Sequence, residues 1–287
     1  VQRFRGRNVV VTGASRGIGA ALAERLAAEG ASLVLVARTL DVHDHLPGSL
    51  RETQARCEGY GASVEVVVAD LSDDVSRAAV IPEALEFFDG RIDVLVNNAA
   101  AAIYADITTF PLRRRRIVFE VNVHGPLDLM QAATPHMTER GEGWIVNVSS
   151  AGARYEEGRR RPTGDPVPDA VRTDIGIYAA SKAALNRSTV AYASALAGSG
   201  VRVNAVEPRA TVMSEGSVAL IGDDLDPNWY VESMEAMVEG ALVLCDCGPE
   251  TTGGIYDSIG LLESTGATVM TLDGSRPFPG GYRPVEP

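Results

Sequence analysis

Two side chains of this sequence are spaced for proton chemistry. In Tyr178-Ala179-Ala180-Ser181-Lys182 a phenol and an ammonium stand four positions apart. On a helix, such positions share a face one turn apart. A neighbouring ammonium favours tyrosinate and draws the phenol pKa toward neutrality, which makes an acid/base usable at ordinary pH. A second group suits phosphate. Gly13, Gly17 and Gly19 punctuate Thr12-Gly13-Ala14-Ser15-Arg16-Gly17-Ile18-Gly19, directly after an apolar run. Glycines there let the backbone turn tightly and let a pyrophosphate approach a helix N-terminus. The second apolar run ends in Ala37, followed by Arg38 and Thr39. An acid at that point would hydrogen-bond a ribose 2′-OH and repel a 2′-phosphate. Arg38 and Arg16 converging on one site suit a phosphate instead.

These residues need rigid elements to position them. Strands are predicted at 8–11, 32–37, 64–69, 94–96, 144–148, 201–206 and 267–272, and a helix at 18–29 with Gly30 as its stop. Ile18, Leu22 and Leu26 share one face of that helix. Strands apolar on both faces, with helices between, predict a parallel sheet covered on both sides. The expected fold is a single α/β domain over residues 1–287, doubly wound and Rossmann-type, with about seven strands. Two stretches break the rhythm, Thr39–Leu50 and about 154–176, and both read as long loops.

The composition, 45% apolar and 22% charged, fits a globular chain. A formal charge of −12 argues against a nucleic-acid or membrane-surface partner. No apolar run is long enough to span a bilayer, and the first one leads into a glycine turn rather than a signal pattern. The cytoplasm is therefore expected. Cys57, Cys245 and Cys247 read as free thiols. His43 and His45 lack a third ligand nearby, so no metal site is expected.

The glycine spacing TGxxxGIG and the YxxxK pair resemble the short-chain dehydrogenase/reductase family, and the likeness extends along nearly the whole chain. The loop Thr39–Leu50 resembles a subset with hydroxysteroid dehydrogenase-like protein 2 and citronellol-type dehydrogenases. The resemblance implies an oxidoreductase that moves a hydride between NADP(H), preferred over NAD(H), and an alcohol or carbonyl. It gives Tyr178 the acid/base role and Lys182 the nicotinamide ribose. Ser150, with Ser149 as second candidate, would hold the substrate oxygen, and Asn122 in Asn122-Val123-His124-Gly125 would support a water chain. Asp70-Leu71 would lie near the adenine. Asn97-Asn98-Ala99-Ala100 looks like the family's NNAG, with Ala100 in place of glycine. Ser15, Ile18, Asn98, Ala99, Ala100, Pro208 and Thr211 join the implied cofactor contacts, with Ser214 as a further candidate. A homodimer or homotetramer is implied as well.

The sequence also departs from the family. About 15 extra residues, with Arg159-Arg160-Arg161 among them, lie between Ser150 and Tyr178 and either shape the substrate pocket or form a surface loop. Arg209 replaces the glycine that follows the family's proline. Residues 250–287 form an extended end, in which 256–262 looks helical. Arg113–Arg116 point around most of a helix and read as solvated or subunit-facing. A non-catalytic NADP(H) sensor is the alternative function. A third reading is an interaction protein that uses the arginine-rich insertion.

Overall fold

The computed structural model describes residues 2–43, 45–154, 175–221 and 231–280. Most of the 154–176 insertion, with Arg159–Arg161, and residues 281–287 lie outside them.

Seven parallel strands form the main sheet. They are β1 (Asn8–Thr12), β2 (Ser32–Ala37), β3 (Val64–Val68), β4 (Val94–Asn97), β5 (Gly143–Val148), β6 (Val201–Glu207) and β9 (Ile255–Asp257), in the order β3-β2-β1-β4-β5-β6-β9. A two-stranded pair, β7 (Thr211–Val212) with β8 (Val231–Glu232), stands apart. The helices are α1 (Gly17–Ala28), α2 (Leu50–Glu58), α3 (Asp74–Ala78), α4 (Val80–Phe87), α5 (Leu112–Phe119), α6 (Gly125–Arg140), α7 (Gly176–Ala195), α8 (Glu215–Ile221), α9 (Met234–Cys245) and α10 (Ser258–Thr265). Six of the predicted strands fall within one residue of their observed ends.

The side-chain alternation along β1 shows why both faces must be covered. Val9 and Val11 join Leu33 and Leu35 beneath Leu22 and Leu26 of α1 and Met237 and Ala241 of α9. Val10 points the other way, with Val34, Val36 and Leu95 against Ile81 of α4 and Met130 and Met137 of α6. A strand with no polar face has no stable place except between two helical layers.

The seventh strand is not where the sequence pattern puts it. Ile255–Asp257 pairs with β6 through Ala205↔Ile255 and Glu207↔Asp257, whereas 267–272 contributes one isolated bridge, Met270↔Pro277. The helix expected over 256–262 begins at Ser258. Asp257 ends the strand and caps this helix, accepting from Gly260 N at 2.9 Å. Cys57 and Cys245 are buried free thiols and Cys247 is partly buried. Arg113, Arg114, Arg115 and Arg116 are all exposed. Among the described residues no helix is long and apolar enough to cross a membrane.

A buried ion cluster fastens α1 to α9. Arg25, 2% exposed, lies 2.7 Å from Glu29 and 2.9 Å from Glu239, and Arg3 reaches Glu239 at 3.2 Å. Removing one partner strands a buried charge, which costs far more than breaking an exposed pair. Arg25→Leu is expected to lower stability by about 3 kcal/mol in urea unfolding. Arg51→Leu, which breaks an exposed 3.8 Å pair with Asp41, should leave the midpoint nearly unchanged.

Candidate active site

The chain reverses its winding between β1 and β4, and ligands of doubly wound sheets bind at that crevice, beyond the carboxyl ends of the strands. The glycine turn follows β1 there. Gly13 N and Ala14 N donate to Val36 O at 2.7 and 3.2 Å. Thr12 Oγ1 accepts from Asn98 N at 3.0 Å and Ala99 N at 3.1 Å. Asn98 Nδ2 donates to Thr12 O at 2.9 Å and Gly13 O at 3.3 Å. This seam makes the glycines obligatory. A β-carbon on Gly13, whose φ is +68°, would lie 2.8 Å from Ala99 Cα, and one on Gly19 would strike the Gly13 carbonyl oxygen and Asn98 Nδ2. Ser15 is buried, Ile18 packs against the core, and Ala100 is exposed.

The N-terminus of α1 has no acid in its first turn, so its N–H groups stay positively polarised. Gly17 N donates to Glu215 Oε2 at 3.0 Å, across from α8. Arg16 clamps the loop that follows β2, with Nε on Pro47 O at 2.9 Å and Nη2 on Gly48 O at 3.0 Å and Thr39 Oγ1 at 3.5 Å. Burial lowers the Arg16 pKa, Glu215 opposes this, and the nearby exposed Arg38 adds to it. Arg16 already has protein partners in this loop. In the same loop His43 Nδ1 accepts from His45 N and Leu46 N, both at 3.1 Å.

Asp70 uses Oδ1 to hold the turn into α3, accepting from Ser72 N at 2.9 Å and Ser72 Oγ at 2.8 Å. Leu71 is buried, and its carbonyl accepts from Arg77, which pairs with Glu120 at 2.7 Å. Glu120 opens a π-helical turn, Glu120–His124, that carries Asn122. Such turns are frequent at functional sites.

Tyr178 and Lys182 stand on the first turns of α7, beside the end of β5. Tyr178 lies beside Ser150, whose hydroxyl accepts from Gly152 N at 3.2 Å. Ser149 is buried, and its hydroxyl has no hydrogen-bond partner among the described residues. Lys182 is 1% exposed and donates from Nζ to Val148 O at 2.7 Å. No carboxylate pairs with it among the described residues, and burial lowers its pKa to about 8. Burial also raises the Tyr178 phenol, Tyr104 adds to the rise, and Ser150 opposes it. The polypeptide by itself thus moves the phenol away from neutrality, opposite to the shift expected from the Tyr178–Lys182 spacing. Desolvation is the largest cause of both shifts.

Asn122 is fully buried. Its Oδ1 accepts from Ala101 N at 2.7 Å, and its Nδ2 donates to Ser181 Oγ at 2.9 Å and Ala101 O at 3.3 Å. Ser181 Oγ donates in turn to Tyr178 O at 2.6 Å. Asn122 therefore ties the chain beyond β4 to the helix of Tyr178 and Lys182. A second buried link was not anticipated from the sequence. Asn97 Nδ2 donates to Asn147 Oδ1, and Asn147 Nδ2 to Thr189 Oγ1, both at 2.9 Å. The only sequence signal for it was an asparagine inside an apolar strand.

Beyond β6, Pro208 is partly exposed and Thr211 opens β7. Arg209 N donates to Glu232 Oε2 at 2.8 Å, and its guanidinium meets Asp257 at 2.6 Å. Glu207, 2% exposed, forms an ion pair with Arg154, which leads into the insertion.

Comparison with known proteins bears on the family of the chain. The short chain dehydrogenase family model matches residues 7–161. An uncharacterized oxidoreductase of Methylorubrum extorquens is 34% identical over 217 residues, which is 76% of this chain and 77% of that protein. Hydroxysteroid dehydrogenase-like protein 2 of Danio rerio is 32% identical over 147 residues, covering 51% of this chain and 35% of that protein. The structure of a 3-oxoacyl (acyl-carrier-protein) reductase from Agrobacterium tumefaciens, with NADP bound, superposes with a TM-score of 0.72 at 28% identity, covering 88% of this chain and 93% of that one. With the glycine turn, the serine after β5 and the tyrosine–lysine helix in one crevice, and a family match across more than half its length, the chain belongs to the short-chain dehydrogenase family.

Proposed function

We propose that the protein is an NADP(H)-dependent oxidoreductase that interconverts an alcohol and a carbonyl compound, with Tyr178 as general acid/base. The observation that carries this reading is the buried Lys182 ammonium, unpaired with any carboxylate among the described residues and one helical turn from the Tyr178 phenol beside Ser150. A buried charge without a counter-ion destabilises a fold. Beside the Tyr178 phenol that charge would serve proton transfer as well as the cofactor's ribose.

The crevice suits the cofactor. Its glycine turn has no room for side chains, and the first turn of α1 carries no acid. Gly13, Gly17 and Gly19, with Ser15 and Ile18, would hold the diphosphate. Arg16, Arg38 and Thr39 would hold the 2′-phosphate, Asp70 and Leu71 the adenine, and Asn98, Ala99, Ala100, Pro208, Thr211 and Lys182 the nicotinamide half. When bound, the nicotinamide supplies or accepts the hydride. In reduction the Tyr178 phenol gives its proton to the substrate oxygen, and Ser150 stabilises the charge developing there. Oxidation reverses these transfers. Lys182 holds positive charge near the phenol, and Asn122 holds the helix in place. NADP in the related reductase supports the cofactor choice. The same reading makes the protein a cytoplasmic homodimer or homotetramer that acts on small molecules, without nucleic-acid or membrane partners.

Tyr178→Phe should reduce turnover of any alcohol or carbonyl substrate by about 10²-fold or more, followed by NADPH absorbance, while cofactor binding persists. Equal rates in the two proteins would refute the acid/base assignment. Arg38→Ala should weaken NADP binding by about tenfold and leave NAD binding nearly unchanged in a fluorescence titration.

Lys182→Met should be inactive yet more stable, by about 2 kcal/mol at pH 7. The sign follows from a folded-state pKa of about 8, below the ordinary lysine value. Between those two values the unfolded chain binds more protons, so wild-type stability rises with pH. The advantage of the variant should therefore shrink from about pH 8 to pH 10 in denaturant titrations.

A further inference from the structure

Three uncharged side chains, Tyr104, Ile107 and Ile175, stand near Tyr178 and Ser150. Tyr104, in the loop after β4, packs its ring against that of Tyr178, with centroids 5.8 Å apart and planes at 60°. Its phenol is partly buried and held neutral, with burial raising its pKa. A β-carbon built on Gly152 would lie 3.3 Å from Ile175 Cδ1 and 3.5 Å from Ser150 Oγ, so the isoleucine methyl and the serine hydroxyl border the same small gap. A β-carbon on Gly176 would lie 2.9 Å from Ile107 Cδ1, which places Ile107 against the first turn of α7. Ile107 is nonetheless 55% exposed.

Neither proton transfer nor the sheet core needs an aromatic ring at position 104. Large apolar side chains left partly open beside convergent polar groups mark a ligand contact surface. Isoleucine methyls and a tyrosine face offer dispersion and ring contact, and they offer nothing to a charged group close to the reacting carbon.

We propose that Tyr104 is a specificity-determining residue whose ring, framed by Ile107 and Ile175, selects substrates in which the reacting carbon belongs to, or is bonded to, an uncharged ring. This inference rests on the assignment of Tyr178 as acid/base, since it places Tyr104 next to the reacting oxygen.

The test uses matched ketones of equal carbon number, cyclohexanone and open-chain 2-hexanone, with wild type, Tyr104→Phe and Tyr104→Ala. Aromatic contact of this kind corresponds to about 2- to 10-fold in kcat/KM. Wild type and Tyr104→Phe should prefer the ring ketone. Tyr104→Ala should lose that preference, mainly through a higher KM for cyclohexanone, with kcat for 2-hexanone preserved. A ring preference that survives in Tyr104→Ala would overturn the proposal. So would a Tyr104→Phe variant that loses as much as the alanine, because the hydroxyl rather than the ring would then be selecting. Calorimetric binding of cyclohexanol and 2-hexanol to the NADPH-loaded wild type and Tyr104→Ala, a pairing in which no hydride can pass, decides the point without turnover, and equal selectivity in the two proteins sinks it. The controls stay separable: a fully active Tyr178→Phe would remove the acid/base assignment, while the binding comparison would still decide Tyr104.

Discussion

The bond from Lys182 Nζ to the Val148 carbonyl oxygen joins the active helix to the sheet. It puts an ammonium inside a low-dielectric crevice, where a single carbonyl replaces the water it has lost. It ties α7 to the end of β5 one turn beyond Tyr178. Two further links hold the same helix: Asn122 through Ser181, and Asn147 through Thr189. All three anchors are short polar bonds in buried surroundings, where geometry is enforced strictly because an unmet donor is expensive. The opposite side of the crevice is held by shape. There Gly13 and Gly19 let β1, α1 and Asn98 approach more closely than any side chain would allow.

Much of this was legible in advance, for particular reasons. Strands β1, β2, β4 and β5 announce themselves by continuous apolar runs, which a sheet buried on both faces demands. Tyr178, Lys182, Ser150 and the glycine turn belong to short local patterns whose spacing is itself the chemistry. β9 was illegible because three residues, Ile255–Asp257, show no period, and Asp257 does not look like a strand residue until its role as a helix cap is seen. Residues 267–272 carry a strand-like composition but find no partner strand beyond one bridge. The missed polar contacts, Thr12 with Asn98 and Asn97 with Asn147, join residues about 50 to 90 positions apart, so no local pattern could show them. The phenol shift was misjudged because spacing conveys proximity but says nothing of desolvation.

The end of β6 shows how the chain accommodates its departure from the family pattern. Arg209 stands where a glycine is usual, and its charge is absorbed by Asp257, while Glu232 takes its backbone N–H. Glu232 also accepts from Ser258 at the start of α10, and Glu207 reaches Arg154 on the other side. Acids from β6, β8 and β9 thus knit the mouth of the crevice to both the insertion and the C-terminal helix. A substitution that looks disruptive in isolation has become a cross-brace.

The carboxylate of Glu215 on the Gly17 amide has a consequence for how the crevice fills. An anion arriving at the start of α1 does not meet bare donors; it meets a tethered rival that is already seated. Entry at the Gly17 amide is then an exchange, in which one oxygen leaves as another takes its hydrogen bond. The tether keeps that rival at high local concentration. Measured affinity at this end of the crevice is accordingly a difference between two acceptors, and departure of the guest is assisted by a replacement that never diffuses away.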